Sequence, residues 1–186
     1  MEIAEHMRFE NLPEQAQGCR RCALGETRRS LVFGEGNLQA QIMLVGEAPG
    51  EKEDVSGRPF VGPAGRMLNK ILEETGLRRE DIYITGVVKC RPPGNRLPKK
   101  DEVEACVPFL HEQIRSLQPK IIVCLGSLAA KTLIDPKLKI SEARGQWVVK
   151  DGAKFMPTYH PASVFHDREK LDAIREDFLK VREALE

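Results

Sequence analysis

Long apolar runs are missing from this chain. The longest, Ile42–Val45 and Ile121–Leu125, fall far short of the roughly 20 residues a helix needs to cross a bilayer, so no membrane span is expected. The opening MEIAEHMRFENLPEQ has no apolar segment of the kind an export signal needs. An excess of charge is missing too. The 29 Lys+Arg are balanced by 28 Asp+Glu, giving a net charge of +1. That excludes a uniformly basic nucleic-acid coat but leaves a local basic face open. There is no Gly-Lys-Ser/Thr phosphate loop, no dinucleotide fingerprint, no internal repeat and no low-complexity tract. These absences leave a soluble, cytoplasmic protein. Its 186 residues, 41% of them hydrophobic, suit one domain over 1–186 with a sizeable core.

What is present is an alternation of short apolar runs and amphipathic stretches. Ile42–Val45, Ile82–Thr85, Ile121–Leu125 and Phe155–Thr158 read as strands. Helical spacing follows over 64–75, from Asp101 to Leu117, from Ser127 to Leu133, and over the last fifteen or so residues. The strands are continuously apolar rather than alternating, which predicts burial on both faces. The fold class is therefore α/β: three α/β/α layers around a mostly parallel four-stranded sheet. Ligands in such sheets bind beyond the carboxyl ends of the strands, here marked by Gly46, Gly86, Gly126 and His160.

Five cysteines stand out: Cys19, Cys22, Cys90, Cys106 and Cys124. Without an export signal, metal binding is a better default for them than disulfides. Cys19-x2-Cys22 brings two sulfurs to one turn, and Cys90 with Cys106 completes a four-thiolate set for zinc or an iron–sulfur cluster. Cys106 also lies on an apolar helix face, where it could be plain core. Cys124, inside IIVCLG, reads as core. A four-thiolate site has no open position for catalysis, so its role would be to tie the N-terminal segment down.

The first strand runs into a long loop, Gly46 to Gly65. Glu47 sits at the strand end, and Phe60 is an aromatic among polar residues and glycines. His160 stands before Pro161 at the end of the last strand, while His6, His111 and His166 read as surface or loop residues. Lys89, Arg91, Arg96, Lys99 and Lys100 form one basic set, and Arg20, Arg21, Arg28 and Arg29 a second. Both adjoin the cysteines and are candidates for phosphate contacts.

Taken in order, GEAPGEKED, GRPFVGPAG, VVKCRPPGNR and His160-Pro161-Ala162 resemble the family 4 (thermostable, iron–sulfur) uracil-DNA glycosylases, from Cys19 to about Phe178. The resemblance implies that family's fold and a DNA repair enzyme that flips uracil out of DNA and hydrolyses its N-glycosidic bond. It implies a 4Fe–4S cluster on Cys19, Cys22, Cys90 and Cys106, with zinc as the alternative. Gly46 to Gly50, through Ala48 and Pro49, match the water-activating motif, with Glu47 lining the pocket and Glu53 and Asp54 as further acidic pocket residues. Phe60 matches the aromatic that stacks on the base, His160 the histidine that bonds the pyrimidine oxygen, and residues 161–167 the loop that wedges into the duplex. Chemically, Glu47 or Asp54 can favour a cationic sugar or orient water, and a hydrogen bond from His160 can steady the departing base.

One position departs from the pattern. Gly86 stands where the family has the Asn that reads uracil's polar edge. That predicts a roomier pocket and relaxed base selectivity, with Asn95 as a nearby substitute. The implied partner is DNA containing uracil or another deaminated base, bound by a monomer. A weakly active or non-catalytic base-binding module is the alternative reading.

Overall fold

The computed structural model describes residues 11–185. The first ten residues, with His6 and most of the stretch read for an export signal, lie outside them, as does Glu186.

Strand β1 covers Glu35–Gly36, β2 Ile42–Gly46, β3 Tyr83–Gly86, β4 Ile121–Leu125, β5 Val148–Lys150 and β6 Ala153–Thr158. They form one sheet in the order β1-β3-β2-β4-β6-β5. The four strands expected from the apolar runs make the parallel centre. Two short edges extend it to six, with β1 antiparallel to β3 and β5 antiparallel to β6. After β3 the chain crosses over β2 to place β4 on its other side. The first two parallel connections thus diverge at β2, the kind of position where such sheets open a crevice.

Every residue of β2 and β4 is buried, and alternate side chains serve different layers. Ile42 and Leu44 pack with Leu68, Ile71 and Leu72 of α4 (Pro63–Glu74) and with Ile174, Phe178 and Val181 of α8 (Glu169–Glu183). Met43 and Val45 pack on the other face. Their partners there include Leu12 and Ala16 of α1 (Leu12–Gln17), Leu24 of α2 (Leu24–Thr27), and Phe109 and Leu110 of α5 (Lys100–Leu117). Each fully buried Leu, Ile or Phe contributes about 1.5–3 kcal/mol, so both layers anchor the sheet. No described helix is long and apolar enough to cross a membrane.

Local chemistry sets the helix ends that frame the site. Helix α3 (Glu51–Ser56) starts where the Glu53 carboxylate accepts the Gly50 N–H at 3.4 Å and stops at left-handed Gly57. Helix α4 opens with Pro63, whose fixed φ suits a first helical turn. Helix α5 opens where Glu102 accepts the Lys99 N–H at 2.8 Å. Helix α6 (Ser127–Leu133) is capped by Gly126, with no side-chain cap. Gly126 has a φ of +96°, and a Cβ there would lie 3.0 Å from the Cβ of His160. The short helix α7 (Ile140–Ala143) leads into β5.

Candidate active site

The carboxyl ends of β2 and β3 and His160, two residues past β6, converge on a cavity of about 50 Å³. Glu47, Phe60, Gly86 and His160 line it, with Gly46, Ala48, Pro49 and Glu53 around them. The sequence pattern had not singled out Val32, Pro59, Ala64, Thr85 and Val88, which complete the wall. Apart from Thr85 they are apolar residues with no chemistry to flag them.

Glu47 is half-buried, and burial raises its pKa above the ordinary 4.5. It therefore holds a proton more readily than a surface glutamate. Burial pushes His160 the other way, down to about 4. The imidazole is neutral at physiological pH, and its tautomer follows from its partner. Nδ1 accepts the Ala162 N–H at 3.1 Å, so the proton is assigned to Nε2, which is left to donate. The rings of Phe60 and His160 are stacked at 5.6 Å between centroids and 27° between planes. A flat apolar face, a neutral N–H donor and a carboxylate thus share one cavity.

Glycine is required at two points beside Phe60. A Cβ on Gly46 would sit 2.6 Å from the Phe60 ring, and one on Gly65 would sit 2.0 Å from the Phe60 carbonyl oxygen. Gly86 differs. A Cβ there would meet the Val88 and Glu47 carbonyl oxygens at 3.3 and 3.5 Å, and its φ is outside the left-handed range. The backbone does not demand glycine at 86, and its absent side chain leaves room in the cavity.

Cys19, Cys22, Cys90 and Cys106 border a second, small cavity, and none is in a disulfide. Burial raises the pKa of Cys90 and of Cys106. Nitrogen donors oppose this: Arg28 Nη1 reaches Cys90 Sγ at 3.1 Å, and the Lys89 N–H reaches Cys106 Sγ at 3.3 Å. Donors aimed at sulfur suit thiolates. Among the described residues, no three Cys, His, Asp or Glu side chains converge as a single metal ion requires. Four thiolates on one zinc stand about 3.8 Å apart, from Zn–S bonds of about 2.3 Å. Four cysteines bordering one space are the donor set of an iron–sulfur cluster as well as of zinc.

A model of the uracil DNA glycosylase superfamily matches residues 33–186. The chain is similar to the type-4 uracil-DNA glycosylase of Saccharolobus solfataricus, at 44% identity over 94% of this chain and 85% of that one. It is similar to the type-4 enzyme of Thermotoga maritima, at 46% over 86% and 84%, and to that of Archaeoglobus fulgidus, at 42% over 94% and 92%.

The chain belongs to the type-4 branch of the uracil DNA glycosylase superfamily.

Within this superfamily member, not every residue named from sequence reaches the cavity. Asp54 is almost wholly buried, and its Oδ1 accepts the N–H of Arg29 at 2.8 Å and of Ser30 at 3.3 Å. It latches the segment before β1 rather than facing the base site. Glu53 does line the cavity, but its carboxylate accepts the N–H of Gly50 and, at 3.1 Å, of Gly62. It braces the loop. Asn95 lies outside the cavity, in a turn with φ +56°, where its Oδ1 accepts Arg91 Nε at 2.7 Å. It is not a substitute reader of the base edge.

The basic sets are also thinner than they read. Lys89 is 1% exposed, and its Nζ donates to Thr85 Oγ1, the Gly86 carbonyl and Gln113 Oε1 at 2.6–2.7 Å. It cannot touch phosphate. Arg96 is committed to buried Glu102 at 2.6 Å. Arg28 donates to Cys90 and to the Gln17 carbonyl. Arg20, Arg29, Lys99 and Lys100 remain exposed, and Arg20, Arg28 and Arg29 line a polar recess beside Gly57.

Proposed function

We propose that this protein is a monomeric DNA repair glycosylase working inside the cell, with Phe60, His160 and Glu47 acting on a flipped uracil. A base within a duplex is out of reach, so the nucleotide must be turned into the cavity. The turn Pro161–Phe165 follows His160 directly, and Phe165 is 53% exposed, available to fill the vacated space. Arg20, Arg29, Lys99 and Lys100 hold phosphates, giving salt-dependent binding.

In the chemical step the C1′–N1 bond breaks and its electron pair leaves with the base. The oxygen of a water molecule forms the new bond to C1′, and the water proton passes to Glu47 and then to solvent. The base anion takes a proton after release. Phe60 stacks on the base, and the Nε2–H of His160 donates to its oxygen as negative charge grows there. Glu47, whose proton affinity burial raises above that of an exposed glutamate, orients and deprotonates the water.

Cys19, Cys22, Cys90 and Cys106 hold a 4Fe–4S cluster in preference to zinc. Bound there, it supplies a cross-link between the N-terminal segment, the loop at 90 and α5, and offers no position to substrate.

The observation that carries this reading is the convergence of Glu47, Phe60 and a neutral His160 on one cavity. It is tested by incubating the protein with a uracil-containing oligonucleotide. Free uracil and an alkali-labile abasic strand are the expected products. Binding without base release would make the protein a recognition module instead.

Gly86 broadens the base range. Uracil's edge loses the partner an Asn would give, and each buried polar group left unpaired costs about 1–3 kcal/mol. Larger deaminated bases gain the space. Gly86→Asn should raise uracil release and lower any release of hypoxanthine or xanthine. If both rates stay unchanged, the base edge is read elsewhere.

A further inference from the structure

Phe60 has a φ of +50°. A bulky residue occupies that left-handed region only where its surroundings impose it. Beside it lies Arg79, in the 3-10 turn Arg79–Asp81 just before β3. Arg79 Nη1 donates to the Phe60 carbonyl at 2.9 Å, and Nη2 donates to the Pro59 carbonyl at 2.7 Å. The two ends of one planar fork thus grip consecutive carbonyls on either side of the strained residue.

The fork is itself fixed from two sides. Nη1 also donates to Asn69 Oδ1 of α4 at 2.7 Å, and Nη2 lies 3.5 Å from Glu35 Oε1 of β1. Glu35 is in turn held by Arg58 at 2.8 Å. The Arg79 side chain is only 23% exposed. Gly46 and Gly65 leave no slack around the ring and its carbonyl. Together these contacts leave Phe60 little freedom to turn its face.

We infer that Arg79 is a positioning residue for base recognition, holding the Phe60 backbone so that the ring is pre-aligned to stack on the flipped base. This rests on the reading of Phe60 as the stacking aromatic. Pre-alignment matters because a side chain ordered before binding loses less freedom on binding. Lysine cannot replace the fork, since its ammonium offers donors from a single point.

The test is a double-mutant cycle on uracil release, with kcat and KM measured for the wild type, Phe60→Ala, Arg79→Met, Arg79→Lys and the two Arg79 variants combined with Phe60→Ala. Phe60→Ala should lower kcat/KM about 10- to 100-fold. Arg79→Met and Arg79→Lys should each lower it about fivefold or more when Phe60 is present, and less than about twofold when it is not. A general loss of stability would appear in both backgrounds, so the cycle cancels it. Arg79→Lys keeps the charge and most of the stem, and serves if Arg79→Met is not recovered folded.

Two results would overturn the inference. In one, the Arg79 losses are equal with and without the Phe60 ring. In the other, Arg79→Lys matches the wild type while Arg79→Met weakens DNA binding and flattens its salt dependence, as a phosphate contact would. If Phe60→Ala itself changes nothing, the stacking role of Phe60 fails instead, and the two failures are told apart.

Discussion

In the proposed mechanism Glu47 has to ionise in a half-buried cavity, and that burden should be measurable as stability. Its folded pKa is raised above 4.5 by burial, so over that window the native state binds more protons than the unfolded chain. Stability from this group is therefore highest at low pH and falls as pH rises from about 4.5 through the raised value. Glu47→Gln removes the burden. Its thermal midpoint should exceed the wild type's at neutral pH, with the gap closing below about pH 4.5, while base release falls about 100-fold or more. Calorimetry and a release assay check the two halves. A midpoint that falls at neutral pH would mean the carboxylate makes a stabilising contact that burial conceals. Single residues are also where the sequence misled. Lys89 belongs to a run of cations, and such runs usually mark solvated faces. Its burial depends on Thr85 and Gln113, the latter 24 positions away, and no local pattern displays that network.

Element geometry explains which neighbours reach the site. Glu53 and Asp54 are adjacent on α3, and consecutive helical residues point about 100° apart. When one faces the cavity, the other faces the segment at 29–30, so a paired acidic motif delivers one pocket wall and one latch. Asn95 is nine residues from Gly86 in sequence, but the turn Pro93–Asn95 carries it out of the cavity. Three of the parallel strands were legible as short, mainly apolar runs that stop at Gly46, Gly86 and Gly126, while β6 is weaker, with Pro157 inside it. β1 and β5 were not, since two and three residues are too few for any periodicity and their place is set by backbone pairing with β3 and β6. Gly126 hid a different kind of information. Its need for glycine comes from His160, which packs against it from the turn that follows β6.

At the scale of the molecule, the cysteine site joins pieces that are distant in sequence. Helices α1 and α2 bury Leu12, Ala16 and Leu24 against the sheet, and Cys19 and Cys22 lie between them. Cys90→Ala should therefore lose iron, lower the thermal midpoint and open the chain around residues 18–30 to protease, because the remaining contacts of two short helices cannot hold the segment alone. Iron analysis, a melting curve and limited proteolysis report these three. A Cys90→Ala protein with its full iron content would refute the ligand assignment. The glycines around the cavity set a further limit on what the fold can become. Substitution at 46 or 65 collides with Phe60, whereas 86 admits a side chain with little displacement. Under the proposed reading of the site, redesign of base preference therefore has room at position 86, with the surroundings of the Phe60 ring left unchanged.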